Sequence, residues 1–198
     1  MPDVVVVGGG VVGASVAWHL ARRGIRDVLV VDRAATPGEG STGRATGGFR
    51  AQFGTDINVR LSLLARDELR RFEDEVGAKP GYRACGYLWL ASSEGELDAL
   101  RAAQRVQHDA GLSEAGMVAP HEIAVLNPAA NLDGIVGGAF CATDGFLRPL
   151  DILRGYLDAA RRLGAAVRFG AEVVGLRRGS SGRIVAVRLR ETLPDTGM

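Results

Sequence analysis

The feature that most restricts the fold is Gly8-Gly9-Gly10-Val11-Val12-Gly13, set between four valines, Val4 to Val7, and a helix-forming run, Ala14 to Arg23, closed by Gly24. In a Gly8-x-Gly10-x-x-Gly13 spacing between strand and helix, Gly8 permits the tight turn and Gly10 lets a pyrophosphate approach the backbone. Gly13 lets the helix pack against the strand. A second apolar run, Val28 to Val31, ends at Asp32, 19 residues after the last glycine, which predicts a βαβ unit with two parallel, buried strands. The start of that helix offers N–H groups and its positive dipole end to a phosphate, and the Asp32 carboxylate accepts hydrogen bonds from ribose hydroxyls. An adenine dinucleotide is the ligand class. FAD and NAD share the fingerprint, and Asp32 disfavours only a 2′-phosphate.

The next segment separates the two. From Ala34 to Gly54 the chain is a long loop rich in Gly, Ser and Thr, where a plain NAD site passes promptly into a helix. Such a loop reaches past the pyrophosphate towards a flavin. Ile57, Leu61, Leu64, Phe72 and Val76 then mark the apolar face of a helix over 56–76. Tyr87 to Leu90 reads as a strand, and Ser93-x-x-Glu96 as a capping box opening a helix that ends near Gly111. A turn-rich stretch follows. Ile135 to Ala142 reads as a strand, Leu150 to Leu163 as a helix, and Val167 to Phe169 as a strand. Glu172 to Arg177 and the alternating Ile184 to Leu189 form a hairpin across Gly179-Ser180-Ser181-Gly182.

Composition narrows the function classes. Among 198 residues, 24 Lys plus Arg stand against 23 Asp plus Glu, a balance that argues against a polyanion binder. Acidic neighbours flank the Arg70-Arg71, Arg161-Arg162 and Arg177-Arg178 pairs, so no nucleic-acid partner is expected. The most apolar stretch, Val4 to Trp18, is broken by four glycines and falls short of the roughly 20 residues that span a bilayer. No membrane partner and a cytoplasmic, reduced location are expected. Cys85 and Cys141 lack metal-ligand spacing and, with Trp18 and Trp89, read as core residues; no metal site is expected. His19, His108 and His121 read as structural. Leu193 to Gly197 spells LPxTG, but no apolar segment and basic tail follow it, so a sorting role is not expected.

At Asp32-Arg33 and the loop GSTGRATGGFRAQFG the sequence resembles the FAD-dependent D-amino acid oxidase superfamily, sarcosine oxidase beta-subunit-like proteins in particular. CGYLWLAS at 85–92 and GGAFCATDGFLRP at 137–149 carry the resemblance further. It implies an α/β fold: a Rossmann-like FAD-binding βαβ domain with part of an inserted α+β substrate domain, and with the C-terminal part of the fold missing. The expected organisation is 1–80 for the βαβ unit and flavin loop, 81–145 for the partial substrate domain, and 146–198 for the return to the FAD-binding domain.

By matching position the resemblance implies FAD as cofactor, held by Gly8, Gly10, Gly13, Asp32 and Arg33. Ser41 and Thr42 fall near phosphate, Gly47 and Gly48 beside the flavin ring, and Val173 at the adenine. Arg50 matches an arginine near the substrate carboxylate. Arg148 and Leu150 stand where related sequences often carry Asp and His. The implied activity is oxidation of a small amine or amino acid, of sarcosine, glycine or D-amino acid type, with hydride passing from the α-carbon to flavin N5. The rival reading is a non-catalytic or truncated dinucleotide-binding module that needs a partner chain or self-associates through uncovered faces.

Overall fold

The computed structural model describes residues 2–192; Met1 and 193–198, with the LPxTG run, lie outside the described residues. In chain order the elements are β1 (Val4–Val7), α1 (Val11–Arg22), β2 (Val28–Val31), α2 (Ser41–Arg44), β3 (Gly48–Phe49), α3 (Asp56–Val76), β4 (Arg83–Ala84), β5 (Tyr87–Ala91), α4 (Glu94–Asp109), β6 (Ala115–Val118), α5 (Pro120–Leu126), β7 (Gly137–Cys141), β8 (Gly145–Phe146), α6 (Pro149–Arg162), β9 (Ala166–Arg168), β10 (Ala171–Arg178) and β11 (Ile184–Glu191). They form two compact units. The first comprises 1–46, 72–81 and 148–198, and the second 47–71 and 82–147.

The first unit is built on a parallel sheet of order β1-β2-β9, with Val4 opposite Val28 and Val7 opposite Val31. The expected βαβ unit is present, with one correction. Central β2 is buried, with Val28, Val30 and Val31 at 2% exposure or less, but β1 lies at the sheet edge and leaves Val7 62% exposed. The helix also opens earlier than composition suggests, at Val11, because Gly10 in extended conformation serves as its N-cap.

Helices α1 and α6 pack together through Ala14, Ala17, Trp18 and Ala21 on one side and Leu153, Tyr156, Leu157 and Ala160 on the other. Tyr156 is ringed by Trp18 at 5.4 Å and Phe72 at 4.9 Å. Gly155 lets α6 approach the end of α3, since a Cβ there would fall 2.8 Å from the Ala78 Cβ and 2.9 Å from the Phe72 ring. On α6 the charged residues Asp151, Arg154, Asp158, Arg161 and Arg162 alternate with the buried ones at helical period, so one face seats on the unit and the other faces water. The hairpin appears as expected, β10 antiparallel to β11.

The second unit holds two antiparallel sheets, β3-β8-β4 and β5-β7-β6. Its core gathers Ala51, Val59, Leu112, Ala115 and Cys141, with Phe53, Leu63 and Ala110 packed against it. Several expectations are corrected here. Along the first half of α3 the inward face carries Val59, Leu63 and Arg66, whereas Ile57, Leu61 and Leu64 are 55–63% exposed. Val59 and Leu63 seat that face on the core, and Arg66, 8% exposed, joins it with its Nη1 on Glu114 Oε1 and Thr143 Oγ1 at 2.5 and 2.6 Å. The turn-rich stretch contains β6 and α5. Cys85 is exposed, and Trp89 is only partly buried.

The capping box is half made. Ser93 Oγ accepts the Glu96 N–H at 3.3 Å, but the Glu96 carboxylate reaches one residue further back, to the N–H and hydroxyl of Ser92. Of the histidines, His19 meets the Trp18 ring edge-on at 4.5 Å, and His108 Nε2 bonds the Ala115 carbonyl at 2.7 Å.

Gly13 is the tightest point of the first turn, because a Cβ there would fall on the Gly8 carbonyl oxygen. Gly13→Ala should therefore destabilise the protein by about 1–3 kcal/mol, as overpacking does. Urea unfolding with a common slope for both proteins checks it; equal midpoints would refute the packing argument.

Candidate functional site

The site in the first unit grows from two turns of one design. Gly8 has φ +105°, a conformation that side chains resist, and lets β1 turn sharply into α1. Gly10 then caps α1 without a side chain, so nothing on the cap residue competes for the first-turn N–H groups. Gly38-Glu39-Gly40-Ser41-Thr42-Gly43 repeats this spacing. Gly38 has φ +95°, Gly40 caps α2 in extended conformation, and a Cβ on Gly43 would fall on the Gly38 carbonyl as one on Gly13 would fall on that of Gly8. The sequence carried this signal, a second Gly-x-Gly-x-x-Gly, inside what reads as an irregular loop.

Both turns face a cleft of about 630 Å³ lined by Gly9, Gly10, Asp32, Arg33, Ala34, Thr36, Gly38, Glu39, Gly40, Ser41, Thr42, Arg44 and Thr192. Asp32 ties its two sides together, with Oδ2 accepting the Gly9 N–H at 2.6 Å and Oδ1 the Ala34 N–H at 2.8 Å. Thr42 Oγ1 accepts the Val11 N–H at 3.1 Å, which sets a hydroxyl at the start of α1. Glu39 Oε1 accepts the backbone and hydroxyl of Thr36, bracing the loop. The carboxyl of Glu39 is held low first by the Thr36 hydroxyl and then by its N–H. The far wall is hooked on by Gly170 N–H to Ala34 O and by the Thr192 hydroxyl to Arg33 O, each at 2.7 Å.

These residues fit an adenine dinucleotide. The α1 start is bare on its cap, the glycines keep Cβ atoms out of the cleft floor, and each Asp32 oxygen retains a second lone pair for a ribose hydroxyl. Of the residues singled out from sequence, Gly10, Asp32, Arg33, Ser41 and Thr42 come together here, with Gly8 and Gly13 shaping the turn behind. Val173 lies on β10, two residues past Ala171, whose N–H bonds the Asp32 carbonyl at 2.9 Å. Thr192 and the Gly38 turn were not among them.

Gly47, Gly48 and Arg50 belong to the second unit. Gly47 is buried with φ +80°, Gly48 pairs with Phe146, and Arg50 follows on the segment leaving β3. That segment is pinned from three directions. Fully buried Asp144 accepts the Ala51 N–H on Oδ1 at 2.8 Å and Gln52 Nε2 on Oδ2 at 3.3 Å. Gln52 Nε2 also donates to the Tyr87 carbonyl, and Gln107 Nε2 donates to that of Phe53. Burial lifts the Asp144 carboxyl above its ordinary value, against the bonds from Ala51 and Gln52 that favour its charged form. Asp144 is the residue that sequence reasoning missed here; its place in CATDGF reads as a turn aspartate until the fold brings Ala51 to it. Among the described residues no cluster of three metal-ligating side chains occurs, and no helix is long and apolar enough to cross a membrane.

A model of the FAD dependent oxidoreductase (DAO) family matches residues 3–196. Rat mitochondrial dimethylglycine dehydrogenase is 30% identical over 178 residues, which cover 88% of this chain and 20% of that protein. Human mitochondrial sarcosine dehydrogenase is 28% identical over 176 residues, 88% of this chain and 19% of the relative. Among solved structures, L-proline dehydrogenase from P. horikoshii superposes with a TM-score of 0.87 at 26% identity, covering 95% of this chain and 49% of the other. Glycine oxidase from Geobacillus kaustophilus gives 0.78 at 27%, over 90% and 49%. The chain thus spans about a fifth of these curated relatives and half of the solved ones.

Two outcomes follow from the geometry. A Cβ on Gly10 would meet only Thr42 Oγ1, at 3.3 Å, so Gly10→Val should project into the cleft, abolish dinucleotide binding and leave the circular dichroism spectrum intact. Undiminished dinucleotide occupancy in a folded variant would refute it. For Asp144, a folded pKa raised above the unfolded one makes its contribution greatest below the unfolded value and progressively lost as pH rises through the folded one. Asp144→Asn lacks that loss. Its stability relative to the parent should therefore improve with rising pH and level off once Asp144 is ionised in the folded state, as denaturant titrations across pH would show.

Proposed function

The chain belongs to the FAD-dependent oxidoreductase family of amine and amino-acid oxidases and dehydrogenases, and we propose that it binds FAD in the cleft of the first unit and serves the oxidation of a small amine or amino acid. The observation that carries this reading is the pair of Gly-x-Gly-x-x-Gly turns on one cleft, linked by the Val11 N–H to Thr42 Oγ1 bond, with Asp32 bound to the first turn through the Gly9 N–H. In it, the α1 start and the hydroxyls of Ser41 and Thr42 hold the pyrophosphate, Asp32 the ribose, and the Arg33 and Val173 region the adenine end. Bound FAD supplies the acceptor, at N5, for the hydride that leaves the substrate α-carbon. Arg50 orients the substrate through its carboxylate, since a guanidinium meets that group with two parallel N–H bonds. Sarcosine, glycine and D-amino acids are the substrate class this supports. The relatives' names, dimethylglycine, sarcosine and proline dehydrogenases and glycine oxidase, point the same way.

The share of its relatives that the chain spans supports a second reading, in which these residues are a dinucleotide-binding module whose turnover needs a partner polypeptide. Exposed Val7 at the sheet edge and exposed Leu176, Ile184 and Val185 on the hairpin favour it, because uncovered apolar surface drives association.

Ligand released from the purified protein by heat should be FAD by mass spectrometry; NAD without flavin would refute the cofactor assignment. The 198-residue chain by itself should bind FAD weakly, self-associate in the ultracentrifuge and oxidise no amine. A stable monomer with tight FAD and turnover would remove the second reading. In the catalytically competent protein, Arg50→Lys should keep flavin occupancy and penalise carboxylate-bearing substrates more than amines without one. Equal losses on both would take Arg50 away from the substrate.

A further inference from the structure

Arg50 is the arginine of its unit that lies against aromatic rings, three of them, among the described residues. Arg60, Arg66, Arg70 and Arg71 each pair with a carboxylate, of Asp56, Glu114, Asp67 and Glu68 respectively, and so spend their N–H edges on the protein. Arg50 makes no such pair among the described residues. Its guanidinium carbon instead lies 4.8 Å from the centre of the Phe53 ring, 5.0 Å from Trp89 and 5.7 Å from Tyr87. Tyr87 and Trp89 come from one face of β5, their rings 5.3 Å apart, and Phe53 from the segment pinned by Asp144 and Gln107. The group borders a cavity of about 250 Å³ whose other walls include Gln52, Leu100 and Gln107. That is smaller than the roughly 300–1,000 Å³ of pockets for drug-sized ligands.

A ring attracts a cation without neutralising it and without accepting its N–H groups in the plane of the fork. We propose that Phe53, Tyr87 and Trp89 are positioning residues that hold the Arg50 guanidinium by aromatic contact and leave its N–H edge set for a small carboxylate. This rests on reading Arg50 as the carboxylate anchor. An ion pair in the same place would fix the side chain equally well but would occupy the donors; the aromatic box fixes it and keeps them available. It also makes the β5 aromatics, rather than a further charged residue, the determinants of how strongly a carboxylate is taken.

The test needs no turnover. In the full chain, the Arg50 Nε–H resonance reports ring-current shielding, and its response to acetate or sarcosine, with methylamine as the amine lacking a carboxylate, reports binding. Expected are an upfield resonance and saturable shifts with acetate and sarcosine but none with methylamine. Trp89→Leu should move the resonance towards the free-arginine position and weaken acetate binding by about tenfold, whereas Trp89→Phe, which restores a ring, should keep both near the parent. Tyr87→Leu should act in the same direction and serves where Trp89→Leu does not fold. Acetate affinity unchanged in Trp89→Leu and Tyr87→Leu, with loss in Arg50→Lys, would overturn the positioning role and leave the anchor reading standing. Acetate binding undiminished in Arg50→Lys would instead overturn the anchor, and this inference with it.

Discussion

The carboxylate of Asp32 accepts the N–H of Gly9, 23 positions before it, and that of Ala34, two positions after it, and the candidate cofactor cleft of the first unit depends on that bridge. Gly9 belongs to the turn after β1 and Ala34 to the loop after β2. The first of these segments is glycine only, Gly8 to Gly10, and brings no side chain of its own to the contact. A charge-assisted acceptor between two amides does what packing cannot, and it does so before any ligand arrives. Thr42 extends the arrangement by placing a hydroxyl on the first N–H of α1, so the loop's position and the helix start are set together.

The second unit uses the same device with the opposite solvent exposure. Asp144 also takes a backbone amide and a second donor, but it is fully buried, so its charge is unfavourable in a way that Asp32's is not. What it holds is the segment that presents Arg50. The unit therefore carries an electrostatic cost at Asp144 to define the backbone next to an arginine that pairs with no carboxylate among the described residues. Buried Arg66, with its Nε lacking a partner while Nη1 serves both Glu114 and Thr143, belongs to the same pattern of polar groups placed where a purely apolar core would be more stable.

Much of this was legible from residue order because it rests on local rules. A valine run, a glycine turn and a helix closed by glycine give strand, turn and helix whatever surrounds them, and the hairpin across Gly179 to Gly182 follows from alternation and turn chemistry. The family resemblance rests on the same local segments. Reading failed where a distant group reversed a local preference. On α3 the apolar spacing of Ile57, Leu61 and Leu64 points inward, yet the core forms on Val59 and Leu63 and takes in Arg66 with Glu114 and Thr143, dozens of positions away, so that stripe faces outside. β1 reads as buried from its composition but is partly exposed, because burial depends on what pairs with its open edge.

The sequence by itself determined the α/β class, the dinucleotide fingerprint, the acidic residue after β2 and an arginine within the glycine-rich loop, since each is a matter of spacing along a short stretch. Tertiary structure decided which of these meet. It placed the Gly38 turn and Thr42 on the same cleft as Gly10, gave Asp32 a backbone clamp in addition to any ribose contact, and set Thr192 against Arg33 across 159 positions. It also brought Asp144 under Ala51 and two β5 aromatics around Arg50. Those contacts join residues far apart in the chain, and a hydrogen bond or ring contact between them leaves no periodicity or composition signal at either end.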